Sequence, residues 1–339
     1  MMMTVAVAAV VFAVWHGRHP SAQPVSVASR EQTPASAAPL VTASKPAPAT
    51  ALPSASSPAL NAQSSQELSA VVKTILDGTG YREREKALQG LTGKLTDADR
   101  GALYDFLRQH ASADDRQLGQ VLKNDLMNAL CQMEPPPQGL RELLSQIYQD
   151  GSQNIVLRDY ALQHMAAFYR QMASAVGVDD QADELNQAQA TLWGALASTD
   201  SSMAGTALLG LSQLSQQGWP GFDQDKISAA ALKLAGDNSS GELTRITAIQ
   251  VCASLGNRAA LPAVQAAAQQ GETIPVQIAA IAALGTLGGT DQIPFLNGVL
   301  EGNIDRLKLP AQHALGRIEQ RLQQPRMASL GVPAGRLAN

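Results

Sequence analysis

His164 is the residue in this chain best suited by type to do chemistry. An imidazole changes charge near neutral pH and can shuttle a proton or hold a ligand. Asp159, Tyr160 and Tyr169 lie close to it in sequence, so the four could line a groove. The simpler reading is a histidine satisfied by one hydrogen bond at the edge of a core, as buried polar groups usually are. His313, which follows Pro310, has less around it. Nothing completes a catalytic set. The chain has no G-x-G-x-x-G, no G-x-x-x-x-G-K-[ST], no H-E-x-x-H, no C-x-x-C and no G-x-S-x-G. The residues therefore suggest no catalytic group, no metal and no cofactor, and the expectation is that the chain is not an enzyme.

Two other groups invite a functional reading. Asp179, Asp180, Asp183 and Glu184 form the densest acidic cluster. They could meet a cation or a basic peptide, but they run into LNQAQATLWGALA, and carboxylates in a first helical turn complement the helix dipole. Gly218-Trp219-Pro220-Gly221-Phe222 puts two aromatics in a turn. Trp219 and Phe222 either fold back as a local plug or stand out as an anchor of the kind enriched at binding hot spots. As contact residues they are the leading candidates, followed by His164, Tyr160 and Asp159.

The elements behind these residues are helical. Hydrophobic residues make up 45% of the 339, but aromatics only 4% and charged residues 16%. Ala, Leu, Gln and Ser dominate, while the β-branched and aromatic residues of a sheet are sparse. One pattern recurs: apolar, basic, two variable, small, apolar, two variable, apolar, two variable, apolar. It starts at residues 122, 157, 203, 244, 276 and 307, reading LKNDLMNALCQM, LRDYALQHMAAF, MAGTALLGLSQL, TRITAIQVCASL, VQIAAIAALGTL and LKLPAQHALGRI. Its small position is Leu126, Ala161, Ala207, Ala248, Ala280 and Ala311, at spacings of 35, 46, 41, 32 and 31 residues. Several copies follow another helix and a polar turn, with Pro262 and Pro294 at matching first-turn positions. Repetition at this period marks stacked helix pairs.

The pattern resembles the second helix of HEAT repeats, V-R-x-x-A-x-x-x-L-x-x-L, including the short HEAT-like repeats of phycobilin lyases. Leu157-Arg158, Ala161, Met165 and Phe168 carry the likeness, as do Thr244-Arg245, Ala248, Cys252 and Leu255, and Val276, Ala280, Leu284 and Leu287. Ala204 and Gln277 replace the basic residue, and Leu126 the small one. A tetratricopeptide array fits less well, because Trp193 and Trp219 do not repeat and the period varies. The resemblance implies an all-α, α-α superhelix in which each second helix is buried on most of its circumference, which explains the uncharged run from Val276 to Thr290. It also places Cys131 and Cys252 three repeats apart, beyond the reach of a disulfide at about 10 Å per repeat.

Composition divides the chain further. Residues 1–15 are an uncharged apolar run, about 21 Å long as a helix against roughly 30 Å of hydrocarbon. They read as a signal peptide or short membrane anchor. Residues 16–62 are a disordered Pro/Ala/Ser-rich linker, with eight prolines in 20–62. Residues 63–119 hold helices with little repeat signal, a divergent cap; residues 120–324 are the repeats; residues 325–339 are a disordered tail. The expected location is membrane-anchored or exported, on the periplasmic or extracytoplasmic side. Residues 63–324 carry 20 basic and 28 acidic residues, a net charge of −8, without a basic stripe, which argues against nucleic acid. The function expected is a scaffold that binds a protein or peptide on its concave surface, with the N-terminal segment meeting the membrane. The alternative is a lyase-type enzyme or small-ligand protein with its groove near His164.

Overall fold

The computed structural model describes residues 67–91, 93, 95–110, 116–175, 181–199, 202–269 and 271–329. The apolar run of residues 1–15 and the Pro/Ala/Ser-rich segment lie outside them, as do Asp179 and Asp180. No helix among the described residues is long and apolar enough to cross a membrane.

Fourteen α-helices in these residues form seven consecutive pairs. They are α1 (Ala70–Asp77) with α2 (Tyr81–Gln89), α3 (Asp97–Arg108) with α4 (Arg116–Cys131), and α5 (Leu140–Gln149) with α6 (Ile155–Ser174). Then come α7 (Ala182–Ala195) with α8 (Met203–Gln216) and α9 (Gln224–Gly236) with α10 (Glu242–Ser254). The last are α11 (Leu261–Ala267) with α12 (Ile274–Leu287) and α13 (Ile293–Glu301) with α14 (Asp305–Ser329). Side chains set several starts: Ser69, Thr96, Asn154 and Asp223 accept from backbone N–H groups one turn on. Proline occupies the first turn of α11, α12 and α13, where its missing N–H costs nothing. The final helix runs to Ser329, so the helical pattern outlasts the boundary drawn at residue 324.

The second helices pack side by side in chain order, α2 on α4, α4 on α6, and so on to α12 on α14. Except for α3, the first helices lie against their own partners. This is an all-α, HEAT-like helical-repeat fold. Ala161, Ala207, Ala248, Ala280 and Ala311 are all fully buried, at the same pattern position of α6, α8, α10, α12 and α14. Their size is set by close approach between neighbouring second helices. Gly285 shows how tight the spacing becomes: a Cβ there would lie 2.6 Å from Ala314 Cα. On α12 only Pro275, Ala282 and Thr286 are exposed, which accounts for the uncharged stretch around it.

The basic position of the pattern has a structural use. Arg158 Nε donates to Tyr148 O at 2.9 Å, at the C-terminal end of α5. Lys123 Nζ donates to Leu107 O at 3.3 Å and to Gln109 O, closing the end of α3. Gln277, where the pattern loses its base, still donates Nε2 to Gln269 O at 2.8 Å and Glu272 O at 3.2 Å beyond α11. In these three pairs the second helix thus supplies a donor for carbonyls that the first helix leaves unpaired. Arg84 does the same in the first pair, reaching Ile75 O at 2.6 Å. With Ala87, Leu88 and Leu91 behind it, Arg84 puts α1 and α2 in register with the repeats that follow. Phe106 sits between two of these bases, 5.3 Å from Arg84 and 5.4 Å from Lys123.

Candidate functional site

The second helices keep one face partly uncovered. On α4 and α6 it carries half-buried Asn124 and Asp159 and exposed Asn128 and Gln163, beside exposed Val121 and Val156. Exposed apolar side chains recur from α8 onward. Leu209 is 36% exposed, Leu243 50% and Leu309 58%, with half-buried Ile246 and Ile278 between them. These residues present apolar surface to water on the layer of second helices. Between α12 and α14 this face opens into a shallow slot of about 190 Å³. Ile278 and Ala282 line one wall, and Leu309, Pro310 and His313 the other, with Arg317 among the lining residues.

At the polar end, four groups connect successive second helices. Tyr81 of α2 donates its hydroxyl to Asp125 Oδ2 of α4 at 2.9 Å. Burial, helped by that carboxylate, pushes the Tyr81 phenol up to about 12. Tyr160 of α6 is raised by burial and by the fields of Asp125 and Asp159. Asp159 is itself raised by burial, although the hydroxyls of Thr206 and Ser202 hold it. Its Oδ1 is buried without a hydrogen-bond partner.

His164 is not part of an open groove. It is 7% exposed, and its Nε2 lies 2.9 Å from Asn124 Oδ1. Burial lowers the imidazole to about 4, so it stays neutral, with the Nε2–H tautomer donating to Asn124. Its repeat equivalents, Ala129, Gly210, Val251, Ala283 and Ala314, are small or apolar, which explains why it is covered: the site lies where adjacent second helices meet. The groove expected around His164 and Tyr160 is therefore replaced by a packed hydrogen bond. His313 is exposed and lines the slot beside α12.

Trp219 and Phe222 turn inward as well. Phe222 is 5% exposed, with its ring edge-on to Tyr169 at 4.8 Å. Trp219 is half-buried, 6.3 Å from the same ring. The Tyr169 hydroxyl points to Pro220 O at 3.4 Å. The turn before α9 is thus a plug over α6, and the reading of these aromatics as projecting anchors is withdrawn. Asp183 and Glu184 occupy the first turn of α7, and Glu184 pairs with Arg141 at 2.7 Å. Cys131 and Cys252 are both buried free thiols, and burial raises them to about 12 and about 11. No cluster of three or more His, Cys, Asp or Glu among the described residues could hold a metal ion.

Sequence reasoning missed the exposed leucines. Leu209 and Leu309 fall at variable positions of the pattern and Leu243 just before its start, so periodicity alone did not separate them from core residues.

The family model for HEAT repeats matches residues 228–316, from within α9 into α14. A solved structure of human deoxyhypusine hydroxylase in complex with glycerol is similar, at 17% identity over 74% of this chain and 95% of that one, with a TM-score of 0.31. No curated protein matches the chain. The expectation that the chain is not an enzyme is corrected by the hydroxylase match: a protein it is similar to is an enzyme, and a missing familiar motif does not settle the matter. At that TM-score the likeness transfers no activity. Seven helix pairs, buried alanines in register and the family match over residues 228–316 give this chain a HEAT-like helical-repeat fold.

Proposed function

We propose that this chain is a scaffold that binds a protein or peptide partner on the face lined by its second helices, which is expected to be the concave one. The observation that carries the reading is the set of exposed leucines on that face: Leu209 on α8, Leu243 on α10 and Leu309 on α14. A cover over them would bury apolar surface at about 25 cal/mol per Å². The polar end at Asp125, Asp159 and Tyr160 would fix the partner's register, as polar groups do at interfaces. Residues 1–15 would hold the scaffold at a membrane or direct its export, which cell fractionation of the full chain checks.

The test is affinity capture with the immobilised chain, read by quantitative mass spectrometry, against a Leu209→Asp, Leu243→Asp double variant. Both side chains are exposed, so the variant should fold with a stability change within about 0.5 kcal/mol per site. Specific partners should fall about tenfold, as expected for loss of interface anchors. Partners retained unchanged by the double variant would contradict the reading.

A further inference from the structure

We propose that the slot between α12 and α14 seats an apolar side chain of a partner peptide, with Arg317 taking the carboxylate that follows it. This rests on the reading of the second-helix face as the binding surface and adds the chemistry of what binds there. The slot is lined by Ile278, Ala282 and Leu309. At about 190 Å³ it is smaller than the roughly 300–1,000 Å³ of small-molecule pockets, and it suits one or two side chains of an extended segment.

Arginines gather where α12 ends. Arg317 also lines the slot and holds its Nη1 3.2 Å from Thr286 Oγ1. Arg321 caps α12, donating to Gly285 O at 2.6 Å and Gly288 O at 2.8 Å. Arg258, just before α11, and Arg317 are both near enough to lower Arg321, after the effect of burial. Arg321 spends its terminal nitrogens on those carbonyls, whereas Arg258 and Arg317 are exposed. Among the described residues, no carboxylate forms an ion pair with any of the three. In a chain of net charge −4, a group of guanidinium ions without a counter-acid is an open charge requirement. Guanidinium meets carboxylate in a two-pronged geometry that lysine cannot match. A lipid surface fits less well, because Ile278 and Ala282 form the wall of a recess rather than projecting in a plane.

The experiment is fluorescence anisotropy on the whole chain with a fluorescein-labelled peptide that alternates leucine and glutamate. Its leucine/glutamine counterpart is the control, and phosphatidylserine/phosphatidylcholine vesicles are the competitor. The glutamate peptide should bind at least about tenfold tighter than the glutamine peptide, the scale of charge-assisted hydrogen bonds. Arg317→Glu should remove most of that preference and leave the glutamine peptide unaffected, with unchanged thermal unfolding showing that the variant folds. Equal binding of the two peptides, no binding of the glutamate peptide, indifference to the arginine reversal, or vesicle binding that the glutamate peptide does not displace would overturn the proposal. Capture through Leu209 and Leu243 reads a different part of the face. Partners that the double leucine variant loses, alongside a failed peptide test, would sink this inference alone, whereas partners that the variant retains unchanged would sink the scaffold reading as well.

Discussion

At the scale of single residues, His164 is the most informative. Its imidazole is lowered from 6.5 to about 4 by burial. The unfolded chain therefore takes up a proton first as pH falls. The histidine's contribution to stability is complete above about 6.5 and is lost between there and about 4, on the order of 3 kcal/mol in all. Urea titrations over that window should show His164→Gln, which keeps a donor for Asn124, losing less stability than the native chain. Equal slopes would contradict the buried neutral assignment. The sequence marked His164 as unusual because small or apolar residues occupy its equivalent positions. It did not show that Asn124, on the preceding second helix, would satisfy it. Trp219 and Phe222 illustrate the same limit: the ring that covers them is Tyr169, some fifty residues upstream.

At the scale of helices, two devices hold the stack: small residues where second helices cross, and donors that close the ends of first helices. Gly285→Ala would drive a Cβ into the backbone of Ala314, costing about 1–3 kcal/mol as overpacking does. Gly316→Ala on α14 meets nothing within 4 Å and should instead stabilise by about 0.5–1 kcal/mol through helix propensity. Chemical denaturation of the two variants compares them directly. Arg84→Ala, which removes the donor to Ile75 O, should cost about 1 kcal/mol, whereas Arg82→Ala, two residues before it and exposed, should be near neutral. Equal effects of the two would deny the first pair its place in the register. The small position was legible because close packing leaves it no freedom. The first pair was not, because α2 is short and starts its pattern with Glu83 where five of the six other copies have an apolar residue.

At the scale of the whole molecule, the architecture follows from repetition: pairs that cannot bury their own faces do so against neighbours. Six copies of one pattern were enough to read that from composition and spacing. The binding face was not readable in the same way. Exposure depends on which variable positions remain after two neighbours and a partner helix have packed, and that is a property of the assembled stack. The central claim is that the uncovered face of the second helices is the one that meets a partner. Site-specific photo-crosslinking tests it most directly, with benzoylphenylalanine placed at Leu209, Leu243 and Leu309, and at the exposed Gln224 of α9 as a first-helix control. Crosslinks to a common partner from the three leucine positions and none from Gln224 are the predicted result; crosslinks from Gln224 with none from the leucines would contradict it.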